Sequence, residues 1–212
     1  MGSSSTMTHV LQNSLRKKNM IAWHSSMTLI SRAQNFEDVI LSRALKHVNG
    51  DFYVDIGAQD LLIDSVSEAF YRNGRRGVHV EPIHFCCERL RIARPDEIVI
   101  EGAVGRGSAN TPLYEFEEAG MSTGKFDIAE THRLNGHTVK KIDVQCMSLT
   151  ELFLNYTDGN VHWMKLDVEG MEQAVIESWS PASATAREFA LENFAYEKFR
   201  DRLCEVFIPS KN

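Results

Sequence analysis

The sequence predicts a doubly wound α/β fold with a mostly parallel sheet. Short apolar runs typical of buried strands alternate with helical segments at intervals of about 20 residues, which is the pattern of consecutive right-handed βαβ units. The chain has 212 residues, of which 43% are hydrophobic, enough for one domain with a substantial core and short for two. We therefore expect one α/β domain over residues 31–212.

The first 30 residues are expected to lie outside that domain. Residues 1–5 have the composition of an expression leader, and the sequence from there to about Ile30 is polar and aperiodic. We interpret residues 1–30 as a leader followed by an N-terminal arm, either flexible or folded into a short helix.

The first predicted helix covers residues 35–47. Asn35 is expected to cap it, with Glu37 and Asp38 in the first turn, where acidic side chains favour the helix dipole. Its apolar residues recur at helical spacing and are Phe36, Val39, Ile40, Ala44 and Leu45.

The remaining elements follow from apolar runs and from the turn residues between them. Ser148 and Glu151 have the spacing of a capping box at the start of one helix. Strands are predicted at 52–57, 77–82, 97–104, 111–116, 141–146 and 161–167, helices at 65–71, 83–92, 149–156 and 171–177, and a long loop with helical content at 119–136.

Composition argues against several classes of protein. The formal net charge is −6 and the basic runs are short, which disfavours a nucleic-acid partner. No apolar stretch reaches the roughly 18 residues of a membrane span, and the four cysteines do not have zinc-site or disulfide-framework spacing. We expect a cytoplasmic protein with reduced thiols.

Ligands of parallel α/β sheets bind beyond the carboxyl ends of the strands. Gly57 follows the first strand, where the absence of a side chain allows a tight turn and close approach of a ligand. Taken alone, this pattern is equally compatible with a plain turn. Four predicted strand ends carry small or polar residues: 55–59, 81–82, 102–105 and 167–170.

Glu81 favours a nucleoside ligand. It ends the second predicted strand, roughly 20 residues beyond Gly57, where nucleotide-binding folds place an acid on the ribose hydroxyls. A dinucleotide fingerprint would need three glycines, but the matching positions are Gly57, Gln59 and Leu62. An NAD-dependent oxidoreductase is therefore disfavoured.

Asp167 and Glu169 lie two residues apart after the last predicted strand, so an extended segment would point both to one side. They could bind a substrate hydroxyl, a cofactor amino group or a divalent metal, or one of them could cap the next helix. His132 and His137 form no metal-ligand spacing, and we hypothesise that they face a substrate. His79 and His162, inside predicted strands, are expected to be packed.

Several segments together resemble the FkbM family of methyltransferases in order and spacing, from about Gln34 to Trp179. The segments are Ala33–Asp38, Phe52–Ala58, Val80–Pro82, Met121–Thr123 and Met164–Gly170.

That resemblance implies a Rossmann-like class I methyltransferase fold, S-adenosylmethionine as donor, and an acceptor hydroxyl on a sugar or small natural product. It implies that Glu81 holds the ribose, that Ala103 lies near the adenine, and that Asp167 lies near the methionine end or the acceptor. The implied cofactor-binding residues are Gln34, Glu37, Asp55, Gly57, Ala58, Glu81, Ala103 and Asp167, and we add Gln59 and Pro82 from their place at the predicted strand ends.

The resemblance also implies a fifth strand, a further helix and a strand after the segment at 167–170, where this sequence has residues 180–212. Residues 187–192 could form a shortened fifth strand, with a helix at 194–205 and a strand at 206–208, or the whole tail could be helical. Either way the sheet edge needs cover, for instance from a second copy in a homo-oligomer.

Methyl transfer depends mainly on positioning the acceptor, and a general base assists an alcohol. Asp167 is the first candidate for that catalytic base, with Glu169 and His132 as reserves, and no metal site is predicted. An alternative is a non-catalytic cofactor-binding or assembly module.

Overall fold

The computed structural model describes residues 29–48, 52–107, 109–118, 120–157 and 161–180, and the elements below lie in the unit that begins at Ser31. The strands are β1 (Phe52–Ile56), β2 (Arg76–Glu81), β3 (Ile98–Glu101), β4 (Ala103–Val104), β5 (Thr111–Phe116), β6 (Val139–Val144), β7 (Cys146–Met147) and β8 (Trp163–Leu166). The helices are α1 (Glu37–Ala44), α2 (Val66–Arg72), α3 (His84–Ala93), α4 (Phe126–Leu134), α5 (Leu149–Tyr156) and α6 (Glu172–Glu177).

The central sheet contains four parallel strands in the order β3-β2-β1-β8. Because the strands are parallel, their carboxyl ends meet at one edge of the sheet. A parallel pair β4-β7 and an antiparallel pair β5-β6 complete the described strands. The predicted α/β class with a mostly parallel sheet is confirmed.

Helices cover both faces of this sheet. Alternate residues of β1 point to opposite faces, and each set packs against helices. On one face, Val54 shares a buried cluster with Leu152 of α5 and Val175 of α6. On the other face, Tyr53 packs with Phe70 of α2. The apolar composition of β1 is therefore explained by burial on both sides.

The predicted third strand at 97–104 is wrong as one continuous element. Gly102 still donates its N–H to the Glu81 carbonyl (3.0 Å), but Ala103 donates to the Gln145 carbonyl (2.8 Å), so the chain changes partner. A Cβ at Gly102 would lie 2.8 Å from that Gln145 oxygen. The glycine permits the switch that turns β4 away from β2 and toward β7.

The predicted Asn35 cap is also wrong. Helix α1 has Phe36 at its N-cap, with φ 61°, and no side-chain cap. The Glu37 carboxylate instead accepts hydrogen bonds from the backbone N–H of Asn35 (2.9 Å) and from its side-chain amide (3.2 Å). The Glu37 carboxylate thus reaches back two residues, and the Asn35 side chain is engaged as a donor.

Local signals predicted the other elements more closely. The Ser148 hydroxyl accepts the Glu151 N–H (3.1 Å), and the Glu151 carboxylate accepts the Ser148 N–H (2.7 Å), so the capping box and its helix are confirmed. Helix α4 supplies the helical content predicted within 119–136. The predicted strands and helices beyond residue 180 and most of the N-terminal arm lie outside the described residues.

A buried ion network joins the helices to the sheet. The side chain of Arg94, just after α3, is 1% exposed, and its guanidinium lies 3.2 Å from a Glu68 carboxylate oxygen and 3.6 Å from one of Glu97. Glu97 also contacts the His79 ring (2.8 Å) and accepts the Tyr53 hydroxyl (2.5 Å). The packed state predicted for His79 is confirmed, and its partners make this network the main polar link between α2, α3 and the sheet.

Within the described ranges, no helix combines the length and the apolar character needed to cross a membrane.

Candidate functional site

A cavity of about 880 Å³ lies at the carboxyl edge of the sheet, and we call it the strand-end cavity. Residues from all four strand ends singled out in the sequence line it, which confirms that these segments meet in space. They are Gly57 and Gln59 after β1, Glu81 and Pro82 at the end of β2, Gly102 to Gly105 around β4, and Asp167 to Gly170 after β8.

The turn after β1 requires glycine for two separate reasons. Gly57 has φ +77°, a conformation that side chains with a Cβ rarely adopt. A Cβ there would also overlap the backbone carbonyl oxygen of Asp167. The turn is therefore tight and also packed against the end of β8, and Gly57 lines the cavity without a side chain.

Glu81 lines the cavity from the end of β2 and is itself 3% exposed. One carboxylate oxygen accepts the Gln59 N–H (2.7 Å) and the other accepts the Ile83 N–H (2.9 Å). Burial raises the pKa of Glu81, and the nearby Asp55 charge adds to this, while the two backbone donors oppose it. Each oxygen keeps a second lone pair, so the carboxylate can still accept two hydroxyl protons.

Asp55 lies behind the cavity rather than in its wall. Burial opposes its ionisation, but the Lys165 charge and the His79 ring, 3.7 Å from one Asp55 oxygen, outweigh burial and lower the pKa of Asp55. Burial also opposes protonation of His79, but Asp55 and Glu97 raise the pKa of that ring. Ionised Asp55 therefore stabilises the fold above pH 3.8, and this contribution is lost as the pH falls further. Protonated His79 stabilises the fold fully below pH 6.5, and this contribution is lost as the pH rises through the raised pKa of the ring.

Lys165 is a site residue that the sequence reasoning missed. Its ammonium donates to the Gly57 carbonyl (2.7 Å) and lies 3.3 Å from an Asp167 carboxylate oxygen and 3.6 Å from one of Asp55. The signal was a lysine inside the otherwise apolar run 163–166, since a half-buried charge in a central strand requires partners.

Asp167 and Glu169 both line the cavity, but not as an extended pair. β8 ends at Leu166, and Glu169 has φ 47°, so the segment turns between the two acids. The predicted alternative that one of them caps the next helix is wrong, because the N-cap of α6 is Met171 and no side chain accepts a capping hydrogen bond there. Glu172 instead accepts the backbone N–H groups of Val168 (3.2 Å) and Gly170 (3.1 Å).

Electrostatics distinguish the two acids. Partial burial raises the pKa of Glu169, and repulsion from Asp167 and Glu172 raises it further. The Asp167 side chain is 59% exposed and is paired with Lys165. One acid is therefore charge-compensated at the cavity wall, and the other holds its proton more readily.

The other predicted site residues divide by position. Pro82 and Ala103 line the cavity, whereas Ala58 is buried behind it. Gln34 is exposed and Glu37 half-buried on the segment around α1, and neither is among the lining residues. Their roles in binding stay predictions.

The two histidines of the variable segment do not line the cavity. The His132 ring lies edge-on to Phe116 at 5.4 Å and to His137 at 6.1 Å. His137 contacts the Glu118 carboxylate at 3.0 Å. His132 is therefore not part of the cavity wall, although it is near enough to Glu169 for a charge on its ring to lower the pKa of that acid.

A second unpredicted set of residues lies on the α3 side of the cavity. Asp60 accepts the N–H groups of Leu62 (2.8 Å) and Ile63 (2.9 Å) and pairs with Arg89 (2.5 Å). Cys86 also lines the cavity, and burial raises the pKa of its thiol to about 11, so it is neutral near pH 7. The described residues contain no cluster of three or more His, Cys, Asp or Glu side chains arranged to hold a metal ion.

A glycine turn, a buried acid at the next strand end and a cavity between them define a small-molecule site of the parallel α/β class. Residues 55–205 match the methyltransferase FkbM domain. The match covers most of the chain, and the chain belongs to the FkbM methyltransferase family. Neither the curated proteins nor the solved structures gave a significant match.

Family membership confirms the resemblance found in the sequence. It supports methyltransferase activity in general and a small-molecule substrate, and S-adenosylmethionine is the usual methyl donor of methyltransferases.

Proposed function

We propose that this chain is an S-adenosylmethionine-dependent O-methyltransferase of the Rossmann-like class I type, acting on a hydroxyl of a sugar or small natural product. The observation that carries the proposal is the Glu81 carboxylate, held at the end of β2 beside the Gly57 turn. The order β3-β2-β1-β8 with helices on both faces supports the fold type.

The residues of the strand-end cavity fit an adenosine-containing donor. Glu81 retains two acceptor positions for a ribose diol, and Gly57 leaves space that a side chain would fill. Ala103 and Val104 offer an apolar wall for the adenine. A cavity of about 880 Å³ is at the upper end for small-molecule sites, which suits a donor together with a small acceptor.

When bound, S-adenosylmethionine supplies a methyl group on a positively charged sulfur. The chain's own task is to hold the acceptor hydroxyl in line and to take its proton. Asp167 is the proposed base, because it lines the cavity and the Lys165 ammonium lies 3.3 Å from its carboxylate. Glu169 is the reserve, because its raised pKa brings it closer to the value that suits a base near neutral pH.

Replacing Asp167 with asparagine is expected to lower turnover about 10²–10⁴-fold at saturating donor, the range typical of a lost general base. The measurement is S-adenosylhomocysteine formation, followed by mass spectrometry over a panel of neutral sugars and phenolic or polyketide alcohols. Glu169→Gln serves as the matched comparison on the same wall. A larger loss in Glu169→Gln would transfer the role to that residue, and unchanged turnover in Asp167→Asn would remove the assignment.

Replacing Glu81 with alanine is expected to raise the Kd for S-adenosylmethionine about 10–100-fold, because charge-assisted hydrogen bonds contribute about 1.5–3 kcal/mol. Glu81→Gln keeps one acceptor oxygen and should lose less. Calorimetric titration measures both, and thermal melting checks that each variant folds.

Glu101→Ala is the matched control, because Glu101 ends β3 in register with Glu81 but does not line the cavity. Its affinity for the donor should equal that of the parent chain. Binding by Glu81→Ala as tight as by the parent chain would contradict the proposed ribose contact.

A further inference from the structure

The Lys165 ammonium contacts two residues that line the strand-end cavity and one that lies behind it, all on segments far apart in sequence. It contacts the Gly57 carbonyl of the glycine turn, the buried Asp55 of β1 and the exposed Asp167 after β8. Its own side chain is 17% exposed, so its charge is only partly screened by water. One side chain therefore contacts both the turn and the acid that line the cavity.

Register explains why this lysine is in place. Asp55 and Lys165 are direct neighbours on the parallel strands β1 and β8, and His79 is the neighbour of Asp55 on β2. One oxygen of Asp55 has no hydrogen-bond partner among the described residues, and the Lys165 ammonium at 3.6 Å is its compensating charge. Removing the ammonium would leave a buried carboxylate without that compensation.

The same charge acts on whatever binds beside Asp167. A cation there is attracted by Asp167 and Glu169 but repelled by Lys165, which lies 3.3 Å from the Asp167 carboxylate. S-adenosylmethionine carries a positive sulfonium, and S-adenosylhomocysteine carries a neutral thioether at the same position. The two ligands therefore report separately on the charge and on the shape of the site.

We propose that Lys165 is a positioning residue that fixes the glycine turn and Asp167, and that its charge lowers the preference of the site for the sulfonium donor over the neutral product. This rests on the proposed function. A site that does not hold the positive ground state too tightly favours methyl transfer, because the positive charge on sulfur is lost during the reaction.

The test is calorimetric titration of both ligands into Lys165→Met and Lys165→Gln. Each variant should bind both ligands more weakly, because the turn loses its ammonium, and Lys165→Gln should lose less because its amide can still donate. In both variants, the affinity for S-adenosylmethionine relative to that for S-adenosylhomocysteine should rise about tenfold. A change of this size is within the range typical of coupling between sites.

Lys141→Met is the control, because Lys141 is exposed on β6 and its removal changes the net charge equally away from the cavity. It should leave this relative affinity unchanged. Asp167→Asn, at an exposed position, should lower the affinity for S-adenosylmethionine relative to that for S-adenosylhomocysteine. The double variant Asp167→Asn with Lys165→Met should have a relative affinity closer to that of the parent chain. Lys165→Gln, whose amide can still donate to the Gly57 carbonyl, keeps the test decisive if Lys165→Met alone melts without a cooperative transition.

Equal weakening of both ligands in the lysine variants, with no change in relative affinity, would overturn the proposal and leave Lys165 with a purely structural role. A parent chain that binds neither ligand would instead overturn the proposed function itself, and this inference with it.

Discussion

Gly57→Ala is expected to weaken S-adenosylmethionine binding at least about 100-fold and to lower the free energy of unfolding by about 3 kcal/mol or more. Losses this large arise from few causes, among them backbone strain and steric overlap in a packed region. Two costs combine at this position. The φ of +77° is unfavourable for alanine, and the added Cβ would overlap the carbonyl oxygen of Asp167. That oxygen belongs to the backbone, so no side-chain rotation can relieve the overlap, and the ends of β1 and β8 must separate. Calorimetry and thermal melting measure the two effects.

Gly136→Ala separates the two costs. Gly136 also has positive φ, at +96°, but nothing lies within 4 Å of a Cβ built on it. It should therefore show only the conformational cost of about 1 kcal/mol and unchanged donor affinity. If Gly57→Ala behaved like Gly136→Ala in both measurements, the close packing of the turn against β8 would be wrong.

Arg94→Met is expected to cost about 3–5 kcal/mol of folding free energy, because removing one partner of a buried ion network leaves the other charges uncompensated. Glu68 and Glu97 would both lose the guanidinium, and the hydroxyl of Ser67, which accepts from it at 2.9 Å, would lose a donor. Arg94→Lys keeps the charge but not the planar set of guanidinium donors, so its free energy of unfolding should lie between those of the parent chain and Arg94→Met. Chemical denaturation monitored by circular dichroism gives the free energies.

Arg133→Met is the comparison, since Arg133 pairs with Glu130 on the exposed surface of α4. Surface ion pairs contribute about 0–1 kcal/mol, so this variant should be nearly neutral. A loss in Arg94→Met no larger than in Arg133→Met would show that the network does not hold α2 and α3 to the sheet.

Much of the fold was predictable because its signals are local. The β1 run ends at a glycine, and Ser148 and Glu151 are three residues apart, so neither pattern needs knowledge of distant contacts. The meeting of the four strand ends followed from parallel topology alone. Glu81 was found for the same reason, as an acid directly at a strand end.

Features that depend on register were not predictable. Lys165 contacts Gly57 and Asp55, which are more than a hundred positions earlier in the sequence. Only the pairing of β1 with β8 brings these residues together. The break at Gly102 reflects a change of strand partner toward Gln145, which no local pattern encodes. His132 was proposed from its place in a variable segment, and the packing of α4 puts it outside the cavity wall instead.

The central claim is that the strand-end cavity binds S-adenosylmethionine, and calorimetric titration of the unmodified chain tests it most directly. We expect one site per chain with a Kd of about 1 μM to 1 mM, the usual range for enzyme ligands, and a melting temperature that rises with donor concentration. No heat of binding at two temperatures, together with a melting temperature unmoved by about 1 mM donor, would contradict it.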